Sequence, residues 1–210
     1  MSMISSSDKE LVSVSTDGML CHWDTTRLQD PLITVFLNYP SPQSSLPGYF
    51  ELGDGDSKGP LNVCSMAFEK TDSTTNILFG TGSGQVFRSN LPYRPTNPPL
   101  NELYAHKGLV SSIRPHCSPS KLYQSLLLTS SLDWTVKLWS LSSLAKPLFE
   151  FVTPAYDYVC DVQWSPDNSA IFSAITSSGR LILWNVAKSA SPLLDEINIL
   201  ETIHEREAAM

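Results

Sequence analysis

The chain has 210 residues, of which 41% are apolar and 17% charged, with a net charge of −7 and a pI near 5.0. That composition fits a globular domain with a substantial core and excludes a disordered chain. It argues against a nucleic-acid surface, which needs clustered Lys and Arg to neutralise phosphates, and the longest apolar run, near LITVFL, is too short for membrane insertion.

The first ten residues, MSMISSSDKE, lack the apolar centre of a targeting signal. Next, LVSVSTDGMLCHWD (Leu11 to Asp24) places Asp17 six residues before Trp23. Residues 1–38 are expected to supply only the last strands of a unit, so that the chain starts on what would be a second strand. The stretch 39–61, centred on YPSPQSSLPGYFELGDGDSKGP, is rich in Pro, Gly and Ser without periodicity and reads as an inserted surface loop. Its DGDSKG imitates the start of a calcium loop, but Lys58 falls on a ligand position and Ser65 stands where the bidentate Glu is required.

Residues 62–198 repeat. Aligning on the end of one apolar run, Ser83 stands before Ser89, Asp133 before Trp139 and Ser178 before Trp184, each by the six residues that separate Asp17 from Trp23. The aligned ends at 23, 89, 139 and 184 are 66, 50 and 45 residues apart, a period near 45 with the insertion early. A second recurring piece lies upstream in each of the last three copies: VCSMAFEK, VSSIRPHC and VCDVQWSPDN. The last copy resolves into VCDVQW, AIFSAIT, RLILWN and PLLDEI, short β-branched and aromatic segments parted by turn residues, which is a strand pattern. LILW and VKLW are continuously apolar, as strands covered on both faces are. Four-stranded sheets stacked on copies of themselves are propeller blades. The expected fold is therefore all-β: an incomplete propeller of about three full blades plus part of another, ending in a charged tail over 199–210.

Several small motifs carry no chemistry. GTGSGQ, from Gly80, mimics a phosphate loop, but a strand follows it where an anion-holding helix is needed, so it is a hairpin turn. Cys21-His22 and His116-Cys117 lack a Cys-x-x-Cys frame, and neither a metal nor a cofactor is expected. Cys64 and Cys160 share a slot in two copies, which reads as packing with reduced thiols in a cytosolic protein. Trp164 and Phe68, equivalent to one another, read as core.

DWTVKLW, the WSPDN turn and His106 four residues before Val110 resemble the WD40 repeat. That resemblance implies a network locking each blade: a His before the first strand, a Ser or Thr on the second, an Asp in the following turn and a Trp on the third. One copy can supply the whole set: His106, Ser130 or Thr129, Asp133 and Trp139, whereas Gly59 and Ala155 occupy the His position in its neighbours. A buried carboxylate needs donors around it, and these residues provide them. Ser, His and Asp in one repeat could also imitate a nucleophilic triad. The spacing is that of the blade network, so the chain is read as no enzyme.

More narrowly, SSLDWTVKLWS, DYVCDVQWSP, GRLILWN and the opening LVSVSTDGMLCHWD resemble the C-terminal propeller part of cytoplasmic dynein intermediate chains. The generic repeat would have Gly or Lys where Trp134 stands. This resemblance implies a non-catalytic subunit of the dynein motor complex in the cytoplasm, associated with the cytoskeleton, binding the heavy chain and other dynein subunits in microtubule-based transport. The alternative is a WD40 adaptor presenting substrates to a ubiquitin ligase or a chromatin complex. The rim candidates for partner binding are Tyr156 and Tyr158, at positions matching Lys107 and Leu109, with Asp157, Trp134 and Arg180 nearby. An incomplete propeller would leave two apolar faces bare, to be covered by missing blades, a second copy or a partner.

Overall fold

The computed structural model describes residues 2–4, 10–39, 59–70, 75–90, 101–116, 118, 120–142, 146–154, 156–187 and 197–198. Most of the inserted loop, the 199–210 tail, Ala155 and Cys117 lie outside the described residues. Within them the chain is all-β apart from one helical turn, α1 (Lys121–Gln124).

The strands form four antiparallel meanders of four, each in chain order. The first is β1 (Ser2–Ile4), β2 (Glu10–Val14), β3 (Met19–Asp24) and β4 (Ile33–Phe36). The second is β5 (Val63–Lys70), β6 (Thr75–Thr81), β7 (Gln85–Asn90) and β8 (Asn101–Tyr104). The third is β9 (Val110–Pro115), β10 (Leu126–Ser131), β11 (Thr135–Ser140) and β12 (Phe149–Val152), with α1 between its first two strands. The fourth is β13 (Val159–Trp164), β14 (Ile171–Thr176), β15 (Arg180–Asn185) and β16 (Ile197–Asn198). The first sheet is fuller than its sequence implies, because Ser2–Ile4 pairs with Glu10–Val12 to add a strand that three residues among serines do not announce.

Each sheet buries both faces where it has a neighbour, and side-chain alternation explains how. On β10, Leu127 packs with Ala67, Leu78 and Val86 of the second sheet, while the next residue, Leu128, packs with Phe172, Ile182 and Trp184 of the fourth. On β11, Trp139 faces the second sheet and Val136 and Leu138 face the fourth. The first and second sheets meet through Val12, Leu20 and Leu37 against Ile77, Phe79 and Phe87. Such a side chain contributes about 1.5–3 kcal/mol when fully buried, so the stacking between sheets holds the molecule together. The runs VKLW and LILW are thus apolar throughout because consecutive residues serve opposite faces.

The inner strands β1, β5, β9 and β13 lie side by side in that order, and among the described residues the row of sheets stays open instead of closing into a ring. Side-chain oxygens stitch these strands across the gaps. Ser65 Oγ donates to the Val110 carbonyl at 2.8 Å, and Ser111 Oγ to the Val159 carbonyl at 2.7 Å. Arg114 donates to the Val162 carbonyl at 3.1 Å and pairs with Asp161 at 3.0 Å. The ladder skips Cys64, Ser111 and Cys160, one residue near the start of β5, β9 and β13, so their common slot is a β-bulge. This corrects the packing role expected for Cys64 and Cys160. Both line the open cleft between the inner strands, and Cys160 is exposed.

Candidate functional site

Two constellations sit at one rim of the row, where the turns between second and third strands meet the loops entering the same sheet or the next. The first is a buried polar chain in the third sheet. His106 Nδ1 lies 3.1 Å from Asp133 Oδ2, and His106 Nε2 lies 2.7 Å from Thr129 Oγ1. The same Thr129 oxygen accepts the Trp139 Nε1–H at 2.9 Å. A carboxylate only accepts, so Nδ1 carries the proton facing Asp133, and the Thr129 hydroxyl donates to Nε2 while accepting the indole N–H. Asp133 also receives the Thr135 hydroxyl at 2.7 Å and the Lys107 amide at 2.9 Å. Burial opposes its charge, but the hydrogen bonds from His106, Thr135 and the Lys107 amide more than offset that and hold the carboxyl well below the ordinary range.

Thr129, rather than Ser130, completes this chain. Neighbours on a strand point to opposite faces, and Thr129 shares the face of Trp139, whereas Ser130 Oγ turns to Ser111 Oγ at 2.9 Å. The other sheets carry only parts of the network. Trp23 Nε1 donates to Ser13 Oγ at 2.8 Å, from the residue equivalent to Thr129. Asp17 does not join it. Its carboxylate closes its own turn with Ser15 Oγ and the Met19 amide, and those hydrogen bonds, Ser15's first, lower its pKa. Trp184 is fully buried, yet its Nε1 has no partner among the described residues, because Ala174 stands where Thr129 does.

The fourth sheet ties its turn to its entry loop with the polarity reversed, which the sequence reading missed. Asp157, from the loop before β13, accepts from Ser177 Oγ at 2.6 Å, from the Ser178 amide at 3.2 Å and from Ser178 Oγ. The acid has moved to the loop and the hydroxyl to the turn. Burial opposes its charge, and the bonds from Ser177, Ser178 and Thr176 outweigh it, holding this carboxyl well below its usual range too. A Ser in place of the turn Asp, read together with an Asp in the entry loop, was the available signal.

The second constellation is aromatic. Trp134 and Tyr156 are exposed, at 42% and 68%, and their rings meet edge to face with centroids 5.8 Å apart. They are the non-glycine residues with positive φ among those described, at 69° and 50°. In the other three sheets the position of Trp134 is held by Gly18, Gly84 and Gly179, with φ of 80°, 91° and 79°. The conformation turns a carbonyl toward the end of the outer strand: Leu37 donates to Gly18 at 2.8 Å, Ala105 to Gly84 at 3.2 Å and Thr153 to Trp134 at 3.0 Å. A Cβ costs roughly 1–2 kcal/mol in this region, so Trp134 is the one costly choice among four equivalent turns.

The remaining rim candidates divide. Lys107 and Tyr158 are exposed, Tyr158 at 50%. Leu109 and Tyr158 present their carbonyls to Leu132 and Ser177, which fixes the entry loops against the neighbouring turns. The Arg180 amide donates to Thr176 Oγ1 at 3.3 Å as β15 begins. The aromatic pair and Lys107 are brought to adjoining segments, whereas Arg180 belongs to the next turn along. GTGSGQ is the turn from β6 to β7, as expected, with Ser83 Oγ bonded to Gln85 Oε1 at 2.5 Å. Among the described residues no group of His, Cys, Asp and Glu could hold a metal ion.

Two segments, 97–140 and 145–185, match the WD domain, G-beta repeat; the first holds β8 to β11 and the second β12 to β15. The chain is 36% identical over 178 residues, 84% of its length, to the cytoplasmic dynein 1 intermediate chain of Drosophila melanogaster. It is 29% identical over 183 residues to the human dynein axonemal intermediate chain 4. It spans only 24% and 20% of those two proteins, in the first case their C-terminal part. The blade-like sheets, the matched repeats and that likeness agree: the chain carries WD40 repeats and is similar to the C-terminal part of a cytoplasmic dynein intermediate chain.

Proposed function

We propose that this chain is a non-catalytic subunit of a cytoplasmic dynein complex, a WD40 scaffold that binds the heavy chain and acts with other dynein subunits in microtubule-based transport. The observation that carries this reading is the 36% identity to a cytoplasmic dynein intermediate chain across 84% of this chain. The geometry supports an adhesive role. Polar groups that could do chemistry are consumed in holding blades together, as the His106–Asp133–Thr129–Trp139 chain shows, while exposed aromatics gather at one rim. In this role the protein is cytoplasmic and associated with the cytoskeleton.

The test is recovery of the tagged full-length chain from cells with its bound proteins identified. Dynein heavy chain, in a large complex that pellets with microtubules, is the expected result. Recovery with ubiquitin-ligase or chromatin subunits and without heavy chain would refute it.

A further inference from the structure

We propose that a second copy of this chain closes the row: the free face of the fourth sheet in each copy packs on the free face of the first sheet in the other, giving a two-copy ring of eight sheets. The inference goes beyond the dynein reading and stands without it.

The junctions inside the molecule show what each free face fits. Every sheet turns one face forward, to the sheet that follows, and one backward, and each internal junction joins a forward face to a backward one. On the backward face the register sets a cross-strand pair between second and third strands: Ile77 with Ser89, Leu127 with Trp139 and Phe172 with Trp184. All six residues are at most 2% exposed. In the first sheet the same pair is Leu11 with Trp23, and it is only half-buried, with no sheet against it among the described residues. Trp23 nevertheless has its Nε1–H tied to Ser13 at 2.8 Å, as Trp139 has its own tied to Thr129 at 2.9 Å. An indole whose N–H is satisfied within its own sheet is ready for a dry apolar contact.

The forward face of the fourth sheet is the matching half. Leu181 stands where Leu20, Val86 and Val136 stand, and Leu183 where Leu138 does. Those four residues are buried at internal junctions, whereas Leu181 and Leu183 are half-buried and Ile175, paired with Leu181, is 37% exposed. Leu11, Trp23, Ile175, Leu181 and Leu183 are all uncharged, so two copies of net charge −7 meet through them without burying an unpaired ion. A forward face fits a backward one, so the contact is heterologous and must either close or run on as a filament. Propellers have typically about four to eight blades, so two copies of this four-sheet row close the ring and a third has no room.

The test is sedimentation velocity of the purified full-length chain over a range of concentrations. The expected parent species has twice the mass of the 23.2 kDa chain. Leu183→Lys on the forward face and Leu11→Glu on the backward face should each weaken the dimer at least ~100-fold, because each puts an unpaired charge into both junctions. Mixed in equal amounts, the two variants should recover a dimer, since one junction is then free of charge and the other pairs Lys with Glu. Trp23→Glu serves if Leu11→Glu folds poorly, with circular dichroism checking the fold of each. A parent that is monomeric at every concentration, an open series of larger species, a dimer kept by either single variant, or no recovery on mixing folded variants would overturn the proposal.

Discussion

Replacing Thr129 with Val tests the polar chain directly. The two side chains have nearly the same shape, and the site is fully buried, so the change removes a hydroxyl without opening a cavity. Two groups lose their partner together, Trp139 Nε1 at 2.9 Å and His106 Nε2 at 2.7 Å, and neither can reach water because both residues are buried. A buried group left unsatisfied costs about 1–3 kcal/mol, which puts the loss at about 2–6 kcal/mol for the pair. For a chain of this size that is a fall in melting temperature of about 4–24 °C, read by circular dichroism and tryptophan fluorescence. Thr129→Ser keeps the hydroxyl and should lose only about 1 kcal/mol for its methyl group. Ser130→Ala, which loses one bond to Ser111, should cost about 1 kcal/mol. The reasoning is refuted if Thr129→Val melts within about 2 °C of the parent, or if Ser130→Ala is the more damaging change.

In the fourth sheet, Ala174→Ser should stabilise by about 1 kcal/mol, because it offers the unpartnered Trp184 Nε1 the acceptor that Ser13 gives Trp23; thermal melts of the single variant check it. Asp133 has a folded pKa below its unfolded value of about 3.9, so its contribution is fully present above that pH and fades as pH falls below it. Asp133→Asn should therefore lower stability at neutral pH and flatten the acid limb of a stability-against-pH curve; an unchanged limb would contradict the assignment. Leu181 and Leu183 lie on the face of β15 opposite Ile182 and Trp184, with no further sheet against them among the described residues. We expect the purified chain to self-associate through this face, and Leu183→Lys to reduce that association in sedimentation velocity without lowering the melting temperature. A chain that is monomeric at every concentration would contradict this.

The stack of sheets was legible because each layer repeats a long enough signal. The six-residue step to Trp23, Trp139 and Trp184 sets the register, and runs such as VKLW show that both faces are covered. What escaped was short or depended on a single position. Ser2–Ile4 is too brief for alternation to show, and it forms a strand only because β2 offers it an edge. Thr129 and Ser130 are both hydroxyls, and a one-residue choice selects opposite faces; Ser13, ten residues before Trp23 as Thr129 is before Trp139, could have decided it. Asp157 was legible only as a rim residue, since its role requires seeing that donor and acceptor changed places with Ser178. Trp134 stood out as an exception to Gly or Lys, yet its meaning came from the three glycines that share its backbone conformation.

The proposed function makes this blade stack an adhesive surface for the dynein heavy chain. It is tested most directly by sedimentation velocity of the purified full-length chain mixed with a purified heavy-chain tail. The account predicts a single faster boundary containing both proteins, retained in Thr129→Ser. Two separate boundaries, from a chain whose circular dichroism shows intact β-structure, would contradict it.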